Sequence, residues 1–133
     1  MKSKTEHTAI FENEFSHNSS LTSTAKRDTE NWFKHRRTNL IKFYELLPKS
    51  WLQRVYFFEL FLIIGDLDGN PKYGITDYFE MIETRSCTTK TLSTFLNERI
   101  AEGDLVLVQS LKKSRKTYRL SSELREICKD LAR

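Results

Sequence analysis

Glycine and proline are scarce, with four and two in 133 residues. That excludes a collagen-like chain, a loop-rich scaffold and a multi-turn all-β protein. Two cysteines, Cys87 and Cys128, cannot make a disulfide framework. The three histidines (His7, His17 and His35) stand at no metal-ligand spacing from a Cys, Asp or Glu. Glycine-rich phosphate loops, nucleophile elbows and zinc signatures are all missing, so nothing points to an enzyme, a metal or a cofactor. Long apolar runs are missing too. The most apolar stretch, Trp51 to Ile64, is short of the roughly 20 residues a membrane span needs, and it contains Gln53, Arg54 and Glu59. No apolar stretch of signal-peptide type lies between Met1 and Ser23. The expected setting is therefore a reducing cytoplasm, away from membranes.

What is present is aromatic and charged. Nine Phe, five Tyr and two Trp supply a compact core, while 22 basic and 18 acidic residues leave a net charge of +4. The distribution of that charge is more informative than its sum. Residues 1–30 carry −1, residues 31–50 +4, residues 51–84 −4 and residues 85–133 +5.

Along the chain, residues 1–25 are Ser, Thr, Asn, Lys and Glu rich and read as a mobile tail, with one weak turn at Ile10 to Phe15. A helical period starts near Asp28 and runs through Trp32, Phe33, Leu40, Phe43, Tyr44 and Leu47 to Pro48. Ser50 then caps a helix from Trp51 to about Ile64, apolar on nearly every face. The turn formers of Asp66 to Gly74 superficially resemble a calcium loop. Pro71 and Asp77 stand where that pattern wants Gly and Glu, so the segment reads as a surface loop. Ile75, Phe79 and Ile82 mark a short helix capped by Thr76, ending before a turn at Thr84 to Ser86. Ser86 caps the next helix, whose stripe of Leu92, Phe95, Leu96 and Ile100 runs to Gly103. The period then changes. Leu105 to Leu111 and Thr117 to Leu120 read as two strands around a charged tip, and Ser121 or Ser122 caps a last helix.

Two helices joined by a short turn and followed at once by a hairpin resemble a winged helix-turn-helix. The segment TRSCTTKTLSTFLNERIAEGDLVLVQSLKKSRKTYRLS is similar to the MarR-type domain of bacterial transcriptional regulators. The likeness lies in the polar start of the second helix, its apolar stripe, the Gly before the strand and the basic hairpin. It departs from that pattern at the hairpin tip, where Lys113 stands near the family's acidic residue, and in the single short helix after the hairpin. The resemblance implies a mainly α fold with a small β-hairpin wing and extra N-terminal helices. The helix over Trp51 to Ile64 is apolar on more sides than one winged-helix domain covers, so a second subunit is expected to cover the rest, with dimerisation helices at 28–64. The resemblance places a DNA-binding core at 75–120, within one domain over 26–133. It also implies a non-enzymatic homodimer that binds double-stranded DNA at a near-palindromic operator. A winged-helix module for protein–protein contact is the alternative. No residue pattern specifies a small-molecule effector.

The helical period assigns the candidate contacts. With the stripe inward, the far side of the second helix carries Cys87, Lys90, Thr91, Thr94 and Asn97, with Ser86, Thr88 and Thr89 at its start. Lys90 suits guanine or phosphate, Asn97 adenine, and the threonines phosphate or a thymine methyl. At the hairpin tip Lys112, Lys113, Ser114, Arg115 and Lys116 form an acid-free phosphate clamp; the same lysines would also serve to protect a strand edge. The run Lys34, His35, Arg36, Arg37, completed by Lys42, either touches DNA backbone through Arg36 and Arg37 or is simply an exposed helix face. Cys87 sits where a helix start and Arg85 would lower a thiol pKa, so a redox role stands beside plain packing.

Overall fold

A computed structural model describes residues 22–84 and 86–132. The expected turn at residues 10–15 and most of the expected tail lie outside the described residues, as does Arg85. Five α-helices and one antiparallel hairpin make up the described secondary structure, together with a single 3-10 turn. No described helix is long and apolar enough to cross a membrane.

Helix α1 spans Thr22–Leu46. It begins before Asp28, because no Gly or Pro interrupts the run and Thr29 satisfies its hydroxyl on the Ala25 carbonyl within the helix. The chain divides into two compact units, Met1–Ile41 and Lys42–Arg133. In the first unit α1 carries Trp32 edge-on to Phe33, with the Arg36 guanidinium over the Trp32 ring.

The second unit holds the core. Pro48 breaks α1, and Lys49–Leu52 forms the 3-10 turn. This corrects the expectation of a helix capped by Ser50. Arg54 is extended, and helix α2 runs over Val55–Leu67. Trp51 lies ahead of it, completely buried and edge-on to both Phe61 and Phe95. Helix α2 ends where Asp68 adopts a left-handed conformation, followed by Gly69. Helix α3 spans Ile75–Met81. Its N-cap is Gly74, whose N–H donates to the Asp77 carboxylate at 2.8 Å, so Thr76 lies inside the helix.

Helix α4 spans Thr89–Ala101, capped by Thr88, whose hydroxyl oxygen accepts from the Thr91 N–H. Ser86 and Cys87 therefore precede the helix. Gly103 stops it with φ +86°. Strands β1 (Leu105–Val108) and β2 (Thr117–Leu120) pair antiparallel, Leu105 opposite Leu120 and Val108 opposite Thr117. The first strand is shorter than expected, since Ser110 folds back to exchange hydrogen bonds with the Lys112 main chain. Ser121 caps helix α5, Ser122–Leu131.

The core joins all of these. Phe57 stacks flat on Phe95 with ring centroids 3.7 Å apart, bringing α2 against the inner face of α4. Around them, with Trp51, pack Leu47, Leu60, Phe61, Ile64, Tyr78, Ile82, Leu92, Leu96, Leu105, Tyr118, Leu120 and Leu124.

Candidate nucleic-acid interface

Helix α4 is amphipathic in the expected sense, with one addition. Leu92, Phe95 and Leu96 are buried and Ile100 is half-buried, but Arg99 is buried as well, only 8% exposed. It falls one turn beyond Phe95 on the same face. Its Nη1 donates to the Asp104 carboxylate at 3.0 Å, and the same oxygen accepts the Trp51 indole N–H at 3.2 Å. The guanidinium also lies 5.3 Å from the Phe95 ring centre. Asp104 further ties its N–H to the Arg99 carbonyl and its carbonyl to the Ser121 N–H. One residue thus fixes the end of α4, the start of β1, the cap of α5 and the buried Trp51.

The outer side of α4 is polar. Thr88, Thr89, Lys90, Thr91, Thr94, Asn97 and Glu98 are all exposed, and no acid occurs from Thr88 to Asn97. Two members of this set are already engaged: the Thr88 and Thr91 hydroxyls lie 3.2 Å apart and share a hydrogen bond. Ser86 is exposed on the segment leading to the helix, and Cys87 is half-buried. The Cys128 thiol, on α5, is pushed above its ordinary range by burial, as expected of a packing residue.

At the hairpin the five bases divide into two groups. Lys112, Lys113 and Lys116 are exposed, as is Ser114. Arg115 is half-buried and turned back, donating from Nη1 to the Pro71 carbonyl at 3.0 Å. Its stem lies so close to Gly74 that a Cβ there would fall 2.4 Å from Arg115 Cγ. Arg119 makes a two-pronged pair with Asp68, at 2.8 and 3.2 Å. This pair holds the Asp68 carboxyl below its ordinary value, chiefly through the hydrogen bond from Arg119. Both arginines stitch the hairpin to the loop between α2 and α3. The same seam includes the Thr117 hydroxyl on the Tyr73 carbonyl at 2.6 Å and the Ile75 N–H on the Lys116 carbonyl. Tyr78 and Tyr118 close it: the buried Tyr78 hydroxyl accepts the Tyr118 N–H at 3.1 Å. Burial raises the pKa of both phenols.

Two further polar residues border this surface. A cleft beside the first turn of α4 is lined by Gln53, Arg54, Tyr56, Phe57 and Thr91. Gln53 and Arg54 are exposed there. Sequence reading placed both inside an apolar helix, and only the break at residues 53–54 brings them to the surface beside Thr91. Arg36 and Arg37 are exposed on α1, in the other unit.

Compared with known proteins, the chain matches no family model, no curated relative and no solved structure.

Proposed function

We propose that the second unit is a winged helix-turn-helix of the kind found in MarR-type regulators, and that the protein is a non-catalytic, sequence-selective DNA-binding regulator. In this reading α3 and α4 are the helix-turn-helix pair, α4 enters the major groove, and the β1–β2 tip grips flanking phosphates. The observation that carries it is an exposed, acid-free face of α4 over Thr88 to Asn97, together with the exposed Lys112, Lys113 and Lys116 of the hairpin that follows. Lys90, Thr94 and Asn97 are the base readers, and the three lysines are the phosphate contacts. Arg54 joins them as a backbone contact beside α4.

The protein acts as a homodimer on a near-palindromic site, with the two copies of α4 about one DNA turn, ~34 Å, apart. The support for dimerisation moves from α2 to α1. Within its own chain α2 is covered at Phe57, Leu60, Phe61 and Ile64, leaving Val55 and Leu62 exposed. On α1, by contrast, Trp32, Phe33 and Leu40 are each more than half exposed. A patch of large apolar side chains of that kind marks an association surface.

A protein-contact module is the second reading. It is favoured by Val106, Leu107 and Leu111, large apolar side chains exposed on the hairpin itself. Fluorescence anisotropy with a labelled random duplex over a salt series separates the two. DNA binding through counterion release makes log affinity fall linearly with log salt, with a slope of about 0.9 per phosphate contact. Absence of binding at low salt would favour the protein-contact module.

A further inference from the structure

The turn between α3 and α4 is held by a residue from a different helix. Glu59 sits on α2, and its carboxylate receives every donor of the turn's first two residues. The Glu83 N–H lies 2.9 Å from Oε2 and 3.1 Å from Oε1. The Thr84 N–H and the Thr84 hydroxyl both donate to Oε1, at 2.8 and 2.6 Å. Ahead of these residues Ile82 is 2% exposed, packed in the core. The turn therefore leaves α3 with an apolar anchor followed at once by a charge-assisted one.

These two anchors differ in kind. Leu92, Phe95 and Leu96 hold α4 on the core through apolar burial, which is non-directional and tolerates small rotations. Hydrogen bonds from two consecutive peptide N–H groups to one carboxylate are directional, and they fix the direction in which the chain leaves α3 at Glu83 and Thr84. Burial raises the Glu59 pKa, but the bonds from Glu83 and Thr84 outweigh it and hold the group below its ordinary value. At neutral pH the clamp is therefore ionised and acts as acceptor only.

We infer that Glu59 is a positioning residue: its carboxylate sets the angle at which α4 is presented and thereby the selectivity of that helix among duplex sequences. The clause on selectivity rests on the DNA reading above, whereas the clause on geometry does not. Glu59→Gln keeps the side chain's size but turns an amide N–H2 toward one of the donors. Thr84→Val removes only the hydroxyl bond and serves as a milder second variant should the first fail to fold.

The test has two arms. In the free protein, amide exchange at Glu83 and Thr84 and residual dipolar couplings across α4 are compared between the wild-type chain and the two variants. Glu59→Gln should speed exchange at those amides by roughly tenfold or more, the loss of about one charge-assisted hydrogen bond. It should also change the couplings of α4 relative to α2, with Thr84→Val intermediate. Unchanged couplings in a folded Glu59→Gln protein would overturn the inference.

In the second arm, a duplex selected by the wild-type protein from a random library is compared with a random duplex. The ratio of affinities should fall about tenfold in Glu59→Gln, while the salt slope on the random duplex stays the same. A merely stabilising role would lower the melting temperature and leave that ratio intact, which would also overturn the inference. Should the wild-type protein bind neither duplex, the DNA reading fails, and the couplings still decide whether Glu59 orients α4.

Discussion

At the scale of single residues, the fold turns on a few polar groups that composition conceals. Arg99 and Asp104 form a pair that is 9% and 13% exposed, and Trp51 joins it through its indole N–H. Removing one partner leaves the other charge buried and uncompensated. Asp104→Ala should therefore lower stability by about 3 kcal/mol, read as a shift in the urea midpoint at constant slope. A loss of only a few tenths would mean that Arg99 finds water instead. The signal for Arg99 was present in the sequence. It stands seven residues after Leu92 on the apolar side of α4, and an acid follows at Asp104. Charge alone suggested a solvated position, because Arg is almost never buried unless paired. A second expectation concerns acid. Glu59 and Asp68 both have folded-state pKa values below their ordinary 4.5 and 3.8. The unfolded chain therefore takes up these protons first as pH falls. Their contribution is complete above those ordinary values and is lost as pH drops through the lower, folded values. Urea midpoints at pH 7, 5 and 3 should decline toward the acid end, and less steeply in Glu59→Gln. Parallel declines in the two proteins would show that Glu59 has no such role.

At the scale of elements, periodicity located β2, α5 and the end of α4 closely, because each carries a strong pattern and a clear punctuation mark in Gly103 or Ser121, whereas the cap of α4 is Thr88 rather than Ser86, since several Ser and Thr residues in a row offer equivalent caps. It failed where two signals overlapped. Trp51 and Leu52 continue the apolar run of α2, so the run reads as one helix, yet the backbone takes a 3-10 turn and restarts at Val55. The competing influence is tertiary: from that turn Trp51 is fully buried against Phe61 and Phe95. The hairpin was legible as a basic tip, but not which bases are occupied, since Pro71, Gly74 and Asp68 are distant in sequence. That division predicts unlike behaviour within one loop. Lys112→Ala with Lys113→Ala should lower the salt slope by about two on any duplex and leave stability unchanged. Arg115→Ala should instead cost about 1 kcal/mol of stability through its lost stem packing and its bond to Pro71. An unchanged slope for the double-lysine variant would remove the hairpin from the interface.

At the scale of the whole molecule, the sequence made the helix-rich class with one hairpin legible, because helical and strand periods separate cleanly after residue 85. Where α2 finds its cover was not legible, since that depends on aromatic stacking between Phe57 and Phe95. The exposed side chains that support the proposed self-association are accordingly Trp32, Phe33 and Leu40 of α1. Replacing Trp32 and Leu40 by Ser should dissociate the dimer in sedimentation equilibrium at micromolar concentration, whereas a wild-type protein that sediments at 15.8 kDa would exclude it. The central claim is that α4 and the hairpin lysines together meet duplex DNA. An NMR titration of the labelled protein with a random duplex at low salt tests it residue by residue. The account predicts that the largest amide shifts fall on Lys90, Thr94, Asn97 and Lys112 to Lys116, with little change at Leu60 or Ile64 in α2. Shifts confined to α1, or none at all at a tenfold excess of DNA, would contradict it.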